Sequence, residues 1–174
     1  MIGQTKNNKT KFFLIIGVIG LFAVLTGFST TFIIPLGKGT FKAPVIIYVH
    51  GAFAFGWICL FITQSLLIQN NNFKKHRLLG FLGAVIATGV TLTLIPVGLY
   101  QVEKGLGQGL GQTAISSIVG TITSAIIFIS LVLAGILKRH EPSTHKRLML
   151  LGYLAGILVQ VKIRVFKFNQ LKSV

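Results

Sequence analysis

Four apolar runs, each longer than twenty residues and each flanked by lysine or arginine, leave this chain one solvent to fold in. They cover residues 12–34, 45–69, 78–100 and 113–137. A bilayer's hydrocarbon core is about 30 Å thick, and about 20 helical residues cross it. Only 11% of the residues are charged and the mean hydropathy is +0.80, whereas a soluble domain carries about 25% charged residues. The pattern predicts an all-α integral membrane bundle. A fifth segment, 146–168, is less regular: Leu148 to Val161 gives 14 residues before Lys162, roughly 21 Å of helix. It crosses only if Lys162 and Arg164 snorkel or face protein. The domain reading is a disordered arm over 1–11, one transmembrane domain over 12–168 and a tail over 169–174.

The second run holds the most informative stripe. His50, Trp57 and Gln64 recur every seven residues, so on a helix they share one face, drifting by about 20° per step. Lipid does not accept an unpaired imidazole or amide, so this face should look into the bundle, with Arg77, Arg147 and Arg164 as further inward-facing polar groups. The hydroxyls at matching depth for His50 are Thr91, Thr93, Ser116 and Ser117. Small residues every four positions let helices approach. That pattern predicts inward stripes at Gly80–Ala84–Thr88, Ser116–Gly120–Ser124 and Gly152–Gly156.

Between the runs lie the punctuators. Asn70, Asn71 and Asn72 stop the second run. Pro96 is expected to kink or end the third near Ile95. Gln101 to Gln112 carries four glycines and reads as a mobile connector, not a nucleotide loop, since no strand precedes it.

Charge sets the orientation. Only Glu103 and Glu141 are acidic, against 17 Lys and Arg. With the N-terminus cytoplasmic, ten basic residues fall inside (Lys6, Lys9, Lys11, Lys74, Lys75, Arg77, Lys138, Arg139, Lys146, Arg147) and three outside (Lys38, Lys42, Lys104), as the positive-inside rule requires. Lys162, Arg164, Lys167 and Lys172 violate it. Basic residues grouped at span ends do not make the single basic face of a nucleic-acid binder; anionic lipid headgroups are the partner they suit. Cys59 is the sole cysteine, so neither a disulfide nor a CxxC metal site exists.

No nucleophile–base constellation and no H-E-x-x-H motif is visible, so a non-enzymatic role is the leading expectation. His76 and His145 stand at the starts of the third and fifth segments and are level with each other. That is the requirement for two axial ligands of a haem, or for a shared copper ion. His50 lies near the opposite face and is a third candidate ligand only because an intramembrane imidazole is a functional candidate by default. A small-molecule or lipid transporter is the other alternative. It would need a polar cavity lined by Thr88, Thr91, Thr93, Ser116, Ser117 and Thr121.

These residues carry a resemblance. His50, Trp57 and Gln64, then His76, Arg77, Leu79 and Gly80 (HRxLG), then Pro142, His145, Lys146, Arg147, Leu148 and Met149 (PxxHKRLM), resemble an uncharacterised family of bacterial multi-pass predicted membrane proteins. Arg164 is similar to that family's arginine late in the following helix. The likeness runs over about residues 44–166 and implies a multi-pass protein of the bacterial cytoplasmic membrane. The HKRLM segment is more faintly similar to small membrane proteins implicated in assembling haem–copper oxidases, which implies a module serving a partner complex. Four-helix cytochromes of the b type are a looser analogue. Relatives often carry an acidic residue where Ser124 stands, and usually continue into another apolar span where this chain ends in VKIRVFKFNQLKSV. That ending reads as truncated or frame-shifted. LLGFL at Leu78–Leu82 also echoes LLGYL at Leu150–Leu154, which predicts two related hairpins.

Overall fold

The computed structural model describes the backbone of residues 2–171 and the side chains of residues 11–157. It is all-α, with α1 (Ile2–Phe28), a π-helical turn (Ser29–Ile33), α2 (Ile34–Gly37), α3 (Val45–Gln69), α4 (Phe73–Gly107), α5 (Gly111–Leu137) and α6 (Pro142–Leu171). Four helical stretches, Lys11–Gly37, Val45–Gln69, Phe73–Gly107 and Gly111–Leu137, are long and apolar enough to cross a bilayer. The chain is a membrane bundle. The arm expected to be disordered is instead helical from Ile2, and α6 continues as one helix past Lys162 and Arg164, whose side chains lie outside the described residues.

The π turn has a local cause. Pro35 lacks an N–H and its ring crowds the carbonyl four residues back, so the ladder widens by one residue. The Ile34 N–H accordingly bonds to the Ser29 carbonyl. Helix then resumes to Gly37, three residues past the expected end at residue 34.

Short, fully bonded turns set the antiparallel order. At the α3–α4 turn Asn71 takes a left-handed backbone, φ 55°. Asn72 N–H bonds to Leu67 O at 2.8 Å and Asn71 N–H to Ile68 O at 3.1 Å, which closes the last turn of α3. Asn72 then caps α4, its Oδ1 accepting from Lys75 N–H at 3.2 Å. The glycine-rich stretch is shorter than expected. Pro96 sits inside α4, which runs on to Gly107, because nearby side chains and helices in a bundle tolerate the lost bond. The connector is only Gln108, Gly109 and Leu110. Gly109 at φ 79° closes it, with Leu110 N–H to Gly105 O at 3.0 Å and Gly109 N–H to Leu106 O at 3.0 Å.

The helices form a ring: α1 packs on α3 and α6, α3 on α4, α4 on α5, α5 on α6, and α3 also touches α6. Trp57, Phe128 and Tyr153 fill the centre. Tyr153 is fully buried, Trp57 meets Phe128 edge-on at 5.3 Å, and Phe61 stacks on Tyr153 at 4.1 Å. Tyr153 Oη–H donates to the Gly17 carbonyl at 2.7 Å, tying α6 to α1.

The small-residue stripes divide. Gly152 and Gly156 do face inward, against Val132 and against Phe128 and Trp57. Gly80 and Gly120 face open space instead. On α4 the inward line is Gly83, Ala87 and Gly98, meeting Leu60, the core and Thr121. The LLGFL/LLGYL echo fails for the same reason. Phe81 is 77% exposed while Tyr153 is 0% exposed, because Phe81 stands five residues after His76 and Tyr153 eight after His145. The true correspondence is Gly83 with Gly152, each seven residues, or about two turns, past its histidine.

Candidate functional site

The bundle has two polar ends, and both histidine positions trace to helix register. At the end bearing Lys74, Lys75, Arg77, Lys138, Arg139, Lys146 and Arg147, four helices each supply one polar group. His76 lies in the first turn of α4 and His145 in the first turn of α6. Their ring centroids are 6.3 Å apart, with planes at 87°. From α5 the Gly135 carbonyl accepts from His145 Nδ1–H at 2.7 Å. A carbonyl can only accept, so this bond fixes the His145 proton on Nδ1 and leaves Nε2 as the nitrogen with a lone pair in the neutral ring. From α3, Gln64 Nε2 donates to the His76 carbonyl at 3.2 Å.

Two atoms of this cluster are buried with no partner: Gln64 Oε1 and His76 Nδ1. Buried polar atoms are paired in the great majority of cases, and an orphan calls for an explanation such as a water or an ion. Around the cluster the seven Lys and Arg side chains are exposed. The ion pair found among the described residues is Lys138 Nζ to Glu141 Oε1, at 2.8 Å. That hydrogen bond, with a second from Thr144 Oγ1, holds the Glu141 carboxyl below its ordinary range. Lys146 Nζ stands 6.0 Å from the Phe13 ring centroid.

The opposite end is closed. His50 Nδ1 lies 2.8 Å from Thr93 Oγ1. Thr93 has one hydroxyl proton, and it goes to the Gly89 carbonyl at 2.6 Å. Thr93 must therefore accept from His50 Nδ1–H. Of the four hydroxyls at matching depth, Thr93 is the one in reach. Thr91, Ser116 and Ser117 bond to their own helix backbones, as do Thr88 and Thr121. A cavity of about 20 Å³ lies between Ala54, Trp57, Val90, Phe128, Tyr153 and Gly156, and none of the six transporter hydroxyls lines it.

Trp57 is buried and Gln64 half-buried, so the heptad stripe looks inward as its spacing requires. Arg77 and Arg147 do not: both are exposed. Each follows its inward histidine by one residue, and one residue turns a helix by about 100°. Arg164 lies outside the described side chains. Sequence reasoning missed the Gly135 carbonyl and the Gln64 tie to His76. The signal that could have found the site is the H-x6-G spacing shared by His76–Gly83 and His145–Gly152. Among the described residues, no three His, Cys, Asp or Glu side chains come together as a metal cluster. Comparison with protein-family models, curated proteins and solved structures returns no match.

Proposed function

We propose that the chain is a multi-pass protein of the bacterial cytoplasmic membrane, N-terminus inside, that holds a metal-centred group, haem b or copper, at His76 and His145. On this reading it serves a partner membrane complex, such as a respiratory oxidase under assembly, and is not a self-contained enzyme. The observation that carries the reading is the imidazole pair. Two imidazole nitrogens on opposite sides of one metal, each about 2 Å from it, set the ring centroids about 6 to 6.5 Å apart, and the rings stand at 6.3 Å. His145 is oriented as a ligand is, with Nδ1–H tied to a backbone carbonyl.

His76 and His145 would hold the group, which supplies one-electron chemistry when bound. The chain's own part is to fix the His145 tautomer and keep His76 at the same depth. The basic collar suits the anionic headgroups of the inner leaflet or the carboxylates of a porphyrin. The family resemblance and the oxidase-assembly likeness of the HKRLM segment support the partner complex.

The test is a visible absorption spectrum with metal analysis of the full-length protein in detergent. A Soret band, or copper near one per chain, is expected in the wild type and should vanish in His76→Ala and His145→Ala. Protein that stays colourless and copper-free after incubation with haemin and with copper would refute the reading.

A further inference from the structure

We infer that the cavity beside Trp57 is an internal site for one small apolar gas molecule of the size of dioxygen, held against the indole N–H. The inference is independent of the histidine pair and stands or falls without it. Its starting point is a buried donor: Trp57 Nε1 has no hydrogen-bond partner. An indole nitrogen can only donate, and the residue is 7% exposed. Trp57 lines a cavity of about 20 Å³ between α3, α4, α5 and α6. Gly156 lines the same cavity and faces the pyrrole edge of the indole. A Cβ placed on Gly156 would lie 3.8 Å from Trp57 Cδ1, the atom bonded to Nε1, and 3.6 Å from Phe128 Cε2. The glycine therefore leaves a notch on the side of the indole that carries the unpaired N–H.

Size and polarity select the occupant. One water needs roughly 10–15 Å³, so a cavity of about 20 Å³ takes a molecule of that width and excludes metabolites and lipid chains. A buried water makes about three hydrogen bonds, and the side chains here supply one. Tyr153 turns its hydroxyl away, donating to the Gly17 carbonyl on α1. The other lining side chains, Ala54, Ile58, Val90, Phe128 and Ile157, are apolar. A cavity of that kind stays dry and admits apolar guests. A diatomic gas gains by leaving water, reaches the bundle through lipid, and presents one weak acceptor to the one donor.

Trp57 is the sole tryptophan, so its fluorescence reads the site directly. The experiment is quenching by dioxygen of the full-length protein in detergent, followed by intensity and by lifetime at rising oxygen pressure. Collisions lower both in step, whereas bound oxygen darkens some molecules and leaves the lifetime of the rest unchanged. The wild type should lose more intensity than lifetime. Gly156→Ala should abolish that excess, because its methyl fills the notch at ordinary contact distances. Val90→Ile fills the same cavity from α4 and decides the matter if the alanine variant does not fold. Intensity and lifetime falling in step in the wild type would overturn the inference. An excess that survives in the filled variants would overturn the placement. The indole N–H resonance then identifies any other partner of the donor. Cross-relaxation with water would show a wet cavity, and a strong upfield shift would show the N–H seated on the Phe128 ring, which lies 5.3 Å away. Either result would overturn the gas site.

Discussion

The two ends of the bundle bury the same kind of side chain and resolve it differently. His50 hands its Nδ1 proton to Thr93, and Thr93 hands its own to the Gly89 carbonyl. The chain of bonds terminates on backbone, and Nδ1 and the hydroxyl are both satisfied. At the basic end the bonds start equally well, from His145 to Gly135 and from Gln64 to the His76 carbonyl, but they leave two buried polar atoms, Gln64 Oε1 and His76 Nδ1, without a partner. A membrane interior tolerates polar groups that close on themselves. The end that stays open lies two helical turns from a packed aromatic core, where Trp57 Nε1 is likewise buried without a partner, and it is the end at which we propose that a ligand is held.

The comparison breaks or sharpens in four ways. The largest contrast is in ligand capture: His76→Ala should abolish metal or haem uptake, while His50→Ala should leave it at the wild-type level. Retained uptake in the first variant, or loss in the second, would reverse the roles assigned to the ends. Next comes the layer between them. A methyl added at Gly20 would press on Tyr153 and Ile157, so Gly20→Ala should destabilise the bundle by about 1–3 kcal/mol. Denaturant unfolding in mixed micelles reads this. A neutral outcome would mean that the aromatic layer can shift and that the two ends are not held at fixed separation.

Smaller is the closed end itself. Thr93→Val and His50→Ala should each cost about 1 kcal/mol, in line with hydrogen bonds inside membranes. The double variant should cost less than the sum of the two, since both remove one bond; strict additivity would mean that the bond contributes nothing. The smallest effect concerns Glu141. Its folded pKa lies below its unfolded value because Lys138 and Thr144 donate to it. The stability it contributes is therefore complete above the ordinary carboxylate pKa and is lost as pH falls through the lower folded value. Glu141→Gln should flatten that acid limb slightly, seen as a smaller change in melting temperature between neutral and acidic buffer.

What the sequence by itself determined is the class of structure and the depth of its polar groups. Runs of more than twenty apolar residues dictate helices in lipid, because no other single-chain element of that composition satisfies its own backbone there. The seven-residue spacing of His50, Trp57 and Gln64 dictates a common face, and the helix starts put His76 and His145 at one level. Tertiary structure decided which faces met. Gly80 and Gly83 are equally small, yet only Gly83 packs on a neighbour, against Leu60. Phe81 and Tyr153 share a motif, yet only Tyr153 enters the core. In helices this uniformly apolar the sequence pattern hardly distinguishes lipid from protein, since both accept the same side chains. Packing makes the choice through shape: where a glycine admits a neighbouring side chain, and where one amide proton reaches a carbonyl across a turn and leaves its oxygen buried without a hydrogen-bond partner.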